Sequence, residues 1–178
     1  VEAARLRLGV AGPADSDPCR RCNTDVLATS GAHALCCSKA EITRGHNRVA
    51  KTIYDVANAR DPNTQLEAPD LIRGTRLRPA DIPTGALGNG LLALDIGIAS
   101  PDAQQAGADC VETMYARKST TYEAHQADLQ RQNITYTPLI WSAYGRPHPA
   151  TTSTLRTLAT RLSRRRGCSG AVSYTHLR

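Results

Sequence analysis

Residues 91–99 read Leu-Leu-Ala-Leu-Asp-Ile-Gly-Ile-Ala, and the fold turns on this stretch. In an extended chain successive side chains point to opposite faces. Leu92, Leu94, Ile96 and Ile98 then share one face, and Leu91, Ala93, Asp95, Gly97 and Ala99 share the other. Asp95 stands among small residues, with room beside it for an ion or a sugar-phosphate.

Outward from this strand the pattern alternates. On the N-terminal side, Pro/Gly turn signals fill 83–90, and residues 77–82 (LRPADI) predict a short strand interrupted by Pro79. Residues 60–76 read as loop. Before them, Ile42, Val49, Ile53 and Val56 recur at helical spacing and predict a helix over 38–59, ended by Asp61-Pro62-Asn63. On the C-terminal side, Ser100-Pro101-Asp102 has the residues of a helix start: a capping Ser, a first-turn Pro and an acid near the positive end. A helix is predicted from there to about residue 132, with a bend near Gly107. A strand over 134–143, a turn at 145–149 and a basic helix over 151–166 complete the order. The expected fold class is α/β, a small mixed β-sheet flanked by helices. With no Phe and 4% aromatic residues, its core must be built from Leu, Ile, Val and Ala.

The 178 residues suit one domain of ordinary size. Residues 1–17 read as an irregular lead-in belonging to a longer protein, 18–37 as a zinc knuckle and 38–167 as the main domain. Residues 168–178 read as a tail of non-native origin, since VSYTHLR (172–178) resembles a translated sequencing adapter. No apolar run approaches the ~20 residues that span a bilayer, and no signal peptide is visible, so the expectation is a soluble, intracellular protein without a membrane partner. The net charge of +6 suits a polyanion.

Four of the six cysteines, Cys19, Cys22, Cys36 and Cys37, lie close together around His33. A disulfide framework usually spans a whole small domain, so clustering about a histidine favours metal. Cys19 and Cys22 supply two zinc ligands from one tight turn. His33 and Cys37, four residues apart, share a helical face and close the site, with Cys36 as the rival fourth ligand. The alternative is a set of free thiols beside a surface histidine. Four ligands leave no open position, which makes the role structural.

Asp81 and Asp95 flank the turn-rich segment 83–90, and a hairpin there would bring them onto adjacent strands. Two carboxylates can hold magnesium, which polarises a phosphodiester and activates water. Lys118 falls on the inner stripe Val111, Met114, Lys118, Tyr122, His125, Leu129 of the predicted helix. It either points to the sheet, where it can stabilise developing charge, or snorkels past its neighbours to water. Basic residues crowd three places: Arg44, His46, Arg48 and Lys51; Arg146 and His148; Arg156, Arg161, Arg164, Arg165 and Arg166. They read either as phosphate contacts or as a solvated face, and Arg44 and His46 also as supports of the fold.

Taken together, CRRC, HALCC, RGHNRV, RPADI, LALDIGIAS, RKSTTY and SAYGRPHP resemble the restriction-like endonuclease domain at the C-terminal end of some non-LTR retrotransposon polyproteins, within the PD-(D/E)XK superfamily. The resemblance spans roughly residues 18–167. It implies that Cys19, Cys22, His33 and Cys37 are the zinc-binding CCHC group and that Arg44 and His46 form a basic DNA-contacting motif. It further implies that Asp81 and Asp95 are the catalytic acids, that Lys118 is the catalytic lysine moved from the strand to the following helix, and that Tyr122 is the tyrosine one turn later. Structural zinc, catalytic magnesium, nuclear location, a DNA partner, RNA of the same element and a reverse transcriptase domain in the same polyprotein are implied with it. The chain departs from the pattern at three points: Ala80 separates Pro79 from Asp81, Gly45 separates Arg44 from His46, and Gly97 stands two residues after Asp95 where the unmigrated lysine would be.

The expected function is a metal-dependent DNA endonuclease module that nicks target DNA during retrotransposition. The alternative is a catalytically inactive, zinc-containing module that binds nucleic acid, with Arg44, His46, Arg48, Arg146, Arg164 and Arg165 on the contact surface. A purely structural zinc domain is the third reading. Convergence of Asp81, Asp95 and Lys118 favours the first, and a Lys118 pointing to solvent the second.

Overall fold

The structure is a computed structural model that describes residues 39–166, apart from residues 70, 73, 74, 76, 102 and 104. The expected zinc knuckle, the lead-in and the tail lie outside the described residues. Helix α1 (Lys39–Asn58) is followed by strands β1 (Ile82–Thr84) and β2 (Leu91–Ala99), helix α2 (Cys110–Thr121), a 3-10 turn (Glu123–His125), helix α3 (Gln126–Arg131), strand β3 (Ile134–Ser142) and helix α4 (Pro149–Arg166).

The sheet order is β1-β2-β3, with β1 antiparallel and β3 parallel to β2. This is the small mixed sheet flanked by helices that the pattern predicts. The central place falls to the strand without proline. Pro83 and Pro138 lack a ladder donor, and both lie in the edge strands.

Both faces of β2 are covered. Leu94 and Ile96 pack with Ile82 and Leu139 against Ile53 and Ala57 of α1 and Leu155 and Leu158 of α4. On the other face two separate apolar patches form. Ala93 packs with Ile134, Leu129 and the segment around Leu71 and Ile72, whereas Ala99 packs with Val111 and Ile140. Between the patches on this face lie Asp95 and Gly97. The buried hydrophobic residues are Ala, Ile, Leu and Val throughout.

Two boundaries differ from expectation. The short strand predicted over 77–82 is instead Ile82–Thr84: Asp81 gives its N–H to Leu94 O, but its carbonyl accepts from Glu67 N–H and not from β2. The helix predicted from residue 100 begins at Cys110, capped by Asp109, whose carboxylate accepts the N–H groups of Val111 (2.9 Å) and Glu112 (3.2 Å). Ser100 and Ala103 make only single turns, and Gly107 at φ +62° adopts a left-handed conformation that no helix continues through. From its first turn α2 buries Val111 against Ala99 and Ile140 of the sheet.

Candidate functional site

The site originates in the shortness of β1. The Leu94 carbonyl of β2 faces β1, so the N–H and C=O of Ile96, two residues on, face the same way. At this point β1 has ended, and these two buried groups need other partners. Asp81 supplies one. Its backbone N–H donates to Leu94 O (2.9 Å), and its own carbonyl accepts from Glu67 N–H (2.7 Å) instead of from β2. Its carboxylate Oδ2 then takes the Ile96 N–H at 2.7 Å. Lys118 supplies the other, donating from Nζ to Ile96 O at 3.1 Å and to Asp95 Oδ1 at 2.6 Å.

Asp81, Asp95 and Lys118 therefore meet around the Asp95–Ile96 segment. Lys118 points to the sheet, not to solvent, and its side chain is 23% exposed against 17% for Asp95. Gly97 makes that approach possible. A Cβ on Gly97 would lie 3.2 Å from Lys118 Cε, 2.8 Å from Met114 Sδ and 2.7 Å from Ile140 Cδ1. The space that a side chain at 97 needs is filled by Ile140, by Met114 and by the stem of Lys118 on α2.

His46 also belongs here. Its Nε2 lies 3.2 Å from Asp81 Oδ2, so it joins an acid instead of standing free to hold a phosphate. The hydrogen bond to Asp81 raises the His46 pKa above 6.5 despite burial. Burial pushes the Asp81 carboxyl up, but the bonds from His46 and the Ile96 N–H outweigh it and hold the pKa below 3.8. His46, Asn47, Ala50, Leu66, Glu67 and Asp81 line a cleft of about 250 Å³ at this edge of the site.

The sign of each shift defines a pH window in the metal-free protein. A raised His46 contributes stability below pH 6.5 and loses it as pH climbs through its folded value. A lowered Asp81 contributes above pH 3.8 and loses it as pH falls through its folded value. Thermal melts in chelator should show His46→Ala destabilised by about 1 kcal/mol between those limits, with the difference shrinking toward pH 8. A difference that stays constant across pH would refute the pairing.

Two tyrosines complete the site. Tyr136 of β3 donates its hydroxyl to Asp95 Oδ2. Burial first, then this bond and the Asp95 charge, raise its pKa far above the ordinary phenol range. Tyr122 does not reach the acids. Its hydroxyl donates to Arg78 O at 3.3 Å, and its ring packs edge-on to Tyr136 with centroids 4.9 Å apart. The reason is local: α2 ends at Thr121, and Tyr122 leaves the helical path at φ −114°, ψ 20°. The sequence by itself does not single out Tyr136. Its alternation with Ile134 and Pro138 was visible, but the ladder pairing of Tyr136 with Ala93, beside Asp95, was not.

The expected basic surface is divided. Arg44 and Arg48 are exposed on α1, as is Arg164 on α4, and Arg165 lies in the last turn of α4. Arg146 forks onto the Asp109 carboxylate, which caps α2, and this holds the Asp109 pKa down to about 2. Its place is thus a tie between the last turn and α2. His148 is buried, stacked on Tyr115 at 3.8 Å. Its Nδ1 accepts the Ala150 N–H at the start of α4, and its Nε2 lies 2.9 Å from Glu112.

Among the described residues no three His, Cys, Asp or Glu side chains form a group that could hold a metal ion. The donors that do meet are the carboxylates of Asp81 and Asp95 and the Ile96 carbonyl, all of them oxygen. This donor chemistry fits a hard cation that keeps several of its waters. Among the described residues no helix is long and apolar enough to cross a membrane. The chain matches no family model, no curated protein and no solved structure.

Proposed function

We propose that the chain is a magnesium-dependent DNA endonuclease module of the restriction-like type, serving a retrotransposon polyprotein in the nucleus. The observation that carries the reading is the meeting of Asp81 and Asp95 with Lys118 seated on Asp95 Oδ1 and Ile96 O. Two carboxylates and an ammonium on one polar strip, between two apolar patches, are costly to bury unless they serve each other or a ligand. Phosphodiester hydrolysis uses this set of charges.

Asp81 and Asp95 would hold the magnesium with help from the Ile96 carbonyl. The ion, when bound, polarises the phosphate and acidifies a water. The chain's own groups do the rest. Lys118, whose ammonium bonds to Asp95, would stabilise charge that grows on the phosphate oxygens. His46 keeps Asp81 ionised through its hydrogen bond. Arg44 and Arg48 lie on the same helix as His46 and would grip the duplex by its phosphates, as would Arg164 and Arg165 from α4. The reverse transcriptase domain of the same polyprotein would extend the 3′ end left by the nick, with the element's RNA as template.

Incubation of the purified chain with supercoiled plasmid should yield nicked circles in magnesium and none in chelator. Binding should weaken with salt, the slope of log affinity against log salt reporting the number of phosphate contacts at roughly 0.9 per contact. Salt-dependent binding without nicking would instead identify the inactive binding module.

The Cys19, Cys22, His33 and Cys37 group is proposed to hold one structural zinc, with Cys36 the competitor for the last position. Metal analysis of the purified chain is expected to find about one zinc per molecule. Cys22→Ser should lose it and lower the melting temperature more than Cys110→Ser does. A zinc-free chain whose circular dichroism ignores chelator would overturn the assignment.

A further inference from the structure

We propose that Tyr136 is a positioning residue that holds the Asp95 carboxylate in the orientation needed to bind a divalent cation. The inference rests on the nuclease reading above. Asp95 is held at two points: Lys118 Nζ bonds to Oδ1, and the Tyr136 hydroxyl donates to Oδ2. A carboxylate flanked by small residues is restrained less by one bonded oxygen than by two. Ala93 and Gly97, its neighbours on the same face, are too small to wedge it. Tyr136 lies across the ladder from Ala93, and the absence of a larger side chain there lets the phenol lean along the sheet to Asp95. The ring is itself fixed, packed edge-on against Tyr122, whose hydroxyl is tied to Arg78 O. The chain of contacts from Arg78 through Tyr122 and Tyr136 to Asp95 thus links the segment before β1, which carries Asp81, to the second acid. Where a bound cation would compete with the Lys118 ammonium for Oδ1, the phenol on Oδ2 would still keep the carboxylate from turning.

Tyr136→Phe tests this, because it keeps the ring and its packing and deletes only the donor. Outer partners of metal-binding groups are typically worth about 10–100-fold in affinity or activity. The expected result in the full chain is a fall in nicking kcat of about tenfold with the KM for DNA within about twofold of wild type. Manganese, used as a spectroscopic probe in the absence of DNA, should bind about tenfold more weakly by electron paramagnetic resonance. A purely structural phenol would show the reverse, a lower melting temperature with unchanged manganese affinity and kcat. If wild type nicks DNA and Tyr136→Phe matches it in kcat and manganese affinity, the positioning role is overturned and the nuclease reading stands. If wild type neither nicks DNA nor binds manganese, both are overturned together.

Discussion

Asp95→Asn is expected to lower plasmid nicking by a factor on the order of 10²–10³, while leaving the chain folded and bound to DNA. Asparagine has the shape of aspartate and keeps one carbonyl oxygen, so it can still accept a hydrogen bond from Lys118 or from Tyr136. It cannot accept both with equal strength, and it carries no charge to set against the ammonium. Loss of one charge-assisted hydrogen bond costs about 1.5–3 kcal/mol, a drop of several degrees in melting temperature for a chain of this size. DNA binding should be unchanged or slightly tighter, because one negative charge has left a surface that meets phosphates. The measurement is nicking in magnesium beside a thermal melt and a binding curve for the same preparation. Undiminished nicking by Asp95→Asn, with wild-type nicking in hand, would falsify the catalytic assignment. Lost nicking together with lost binding would reduce Asp95 to a structural residue.

The second large effect is expected at Gly97. Its backbone is ordinary for a strand, so the need for glycine comes from space and not from conformation. An added Cβ meets Ile140 Cδ1, Met114 Sδ and Lys118 Cε, all within 3.2 Å. Each is the outer part of a flexible side chain, but Ile140 is fully buried and all three must yield at once. Overpacking of this kind costs about 1–3 kcal/mol, so Gly97→Ala should melt several degrees below wild type. It should also move the Lys118 stem and weaken the bond to Asp95, and nicking should fall at least about tenfold even at temperatures where the variant is fully folded. The control is Ala93→Gly, which removes a methyl on the same strand face at no cost in space. A Gly97→Ala protein with wild-type nicking and wild-type stability would show that the close approach of Lys118 does not depend on this glycine.

Much of the architecture follows from local physical chemistry alone. The alternation of residues 91–99 required a strand, and β2 has those bounds. The helical recurrence of Val49 and Ile53 and the breaker at Pro62 framed α1, and the absence of Phe required the aliphatic core that forms. The turn signals at 83–90 allowed a hairpin, and β1 does pair antiparallel with β2, although it lies at 82–84 and so takes in the first of those residues. Asp95 and Lys118 were identifiable because each is a charged residue in a segment patterned for burial. That Lys118 turns to the sheet and takes Asp95 as its partner was left open by the sequence and decided by the fold.

Tertiary structure alone decided the rest, because it depends on which groups the packing leaves without a partner. The helix predicted from Ser100 starts at Cys110, where Asp109 caps it and Val111 is buried against the sheet. Tyr136 became a neighbour of Asp95 through the parallel register of β3 on β2, and no periodicity within either strand encodes that register. His46 and Arg146 looked alike in sequence, as basic residues for phosphates. Packing gave each a carboxylate instead, Asp81 for one and Asp109 for the other. The glycine two residues after Asp95 read as a missing lysine. In the folded chain it is space shared by Ile140, Met114 and the stem of Lys118, because two side chains cannot fill one volume.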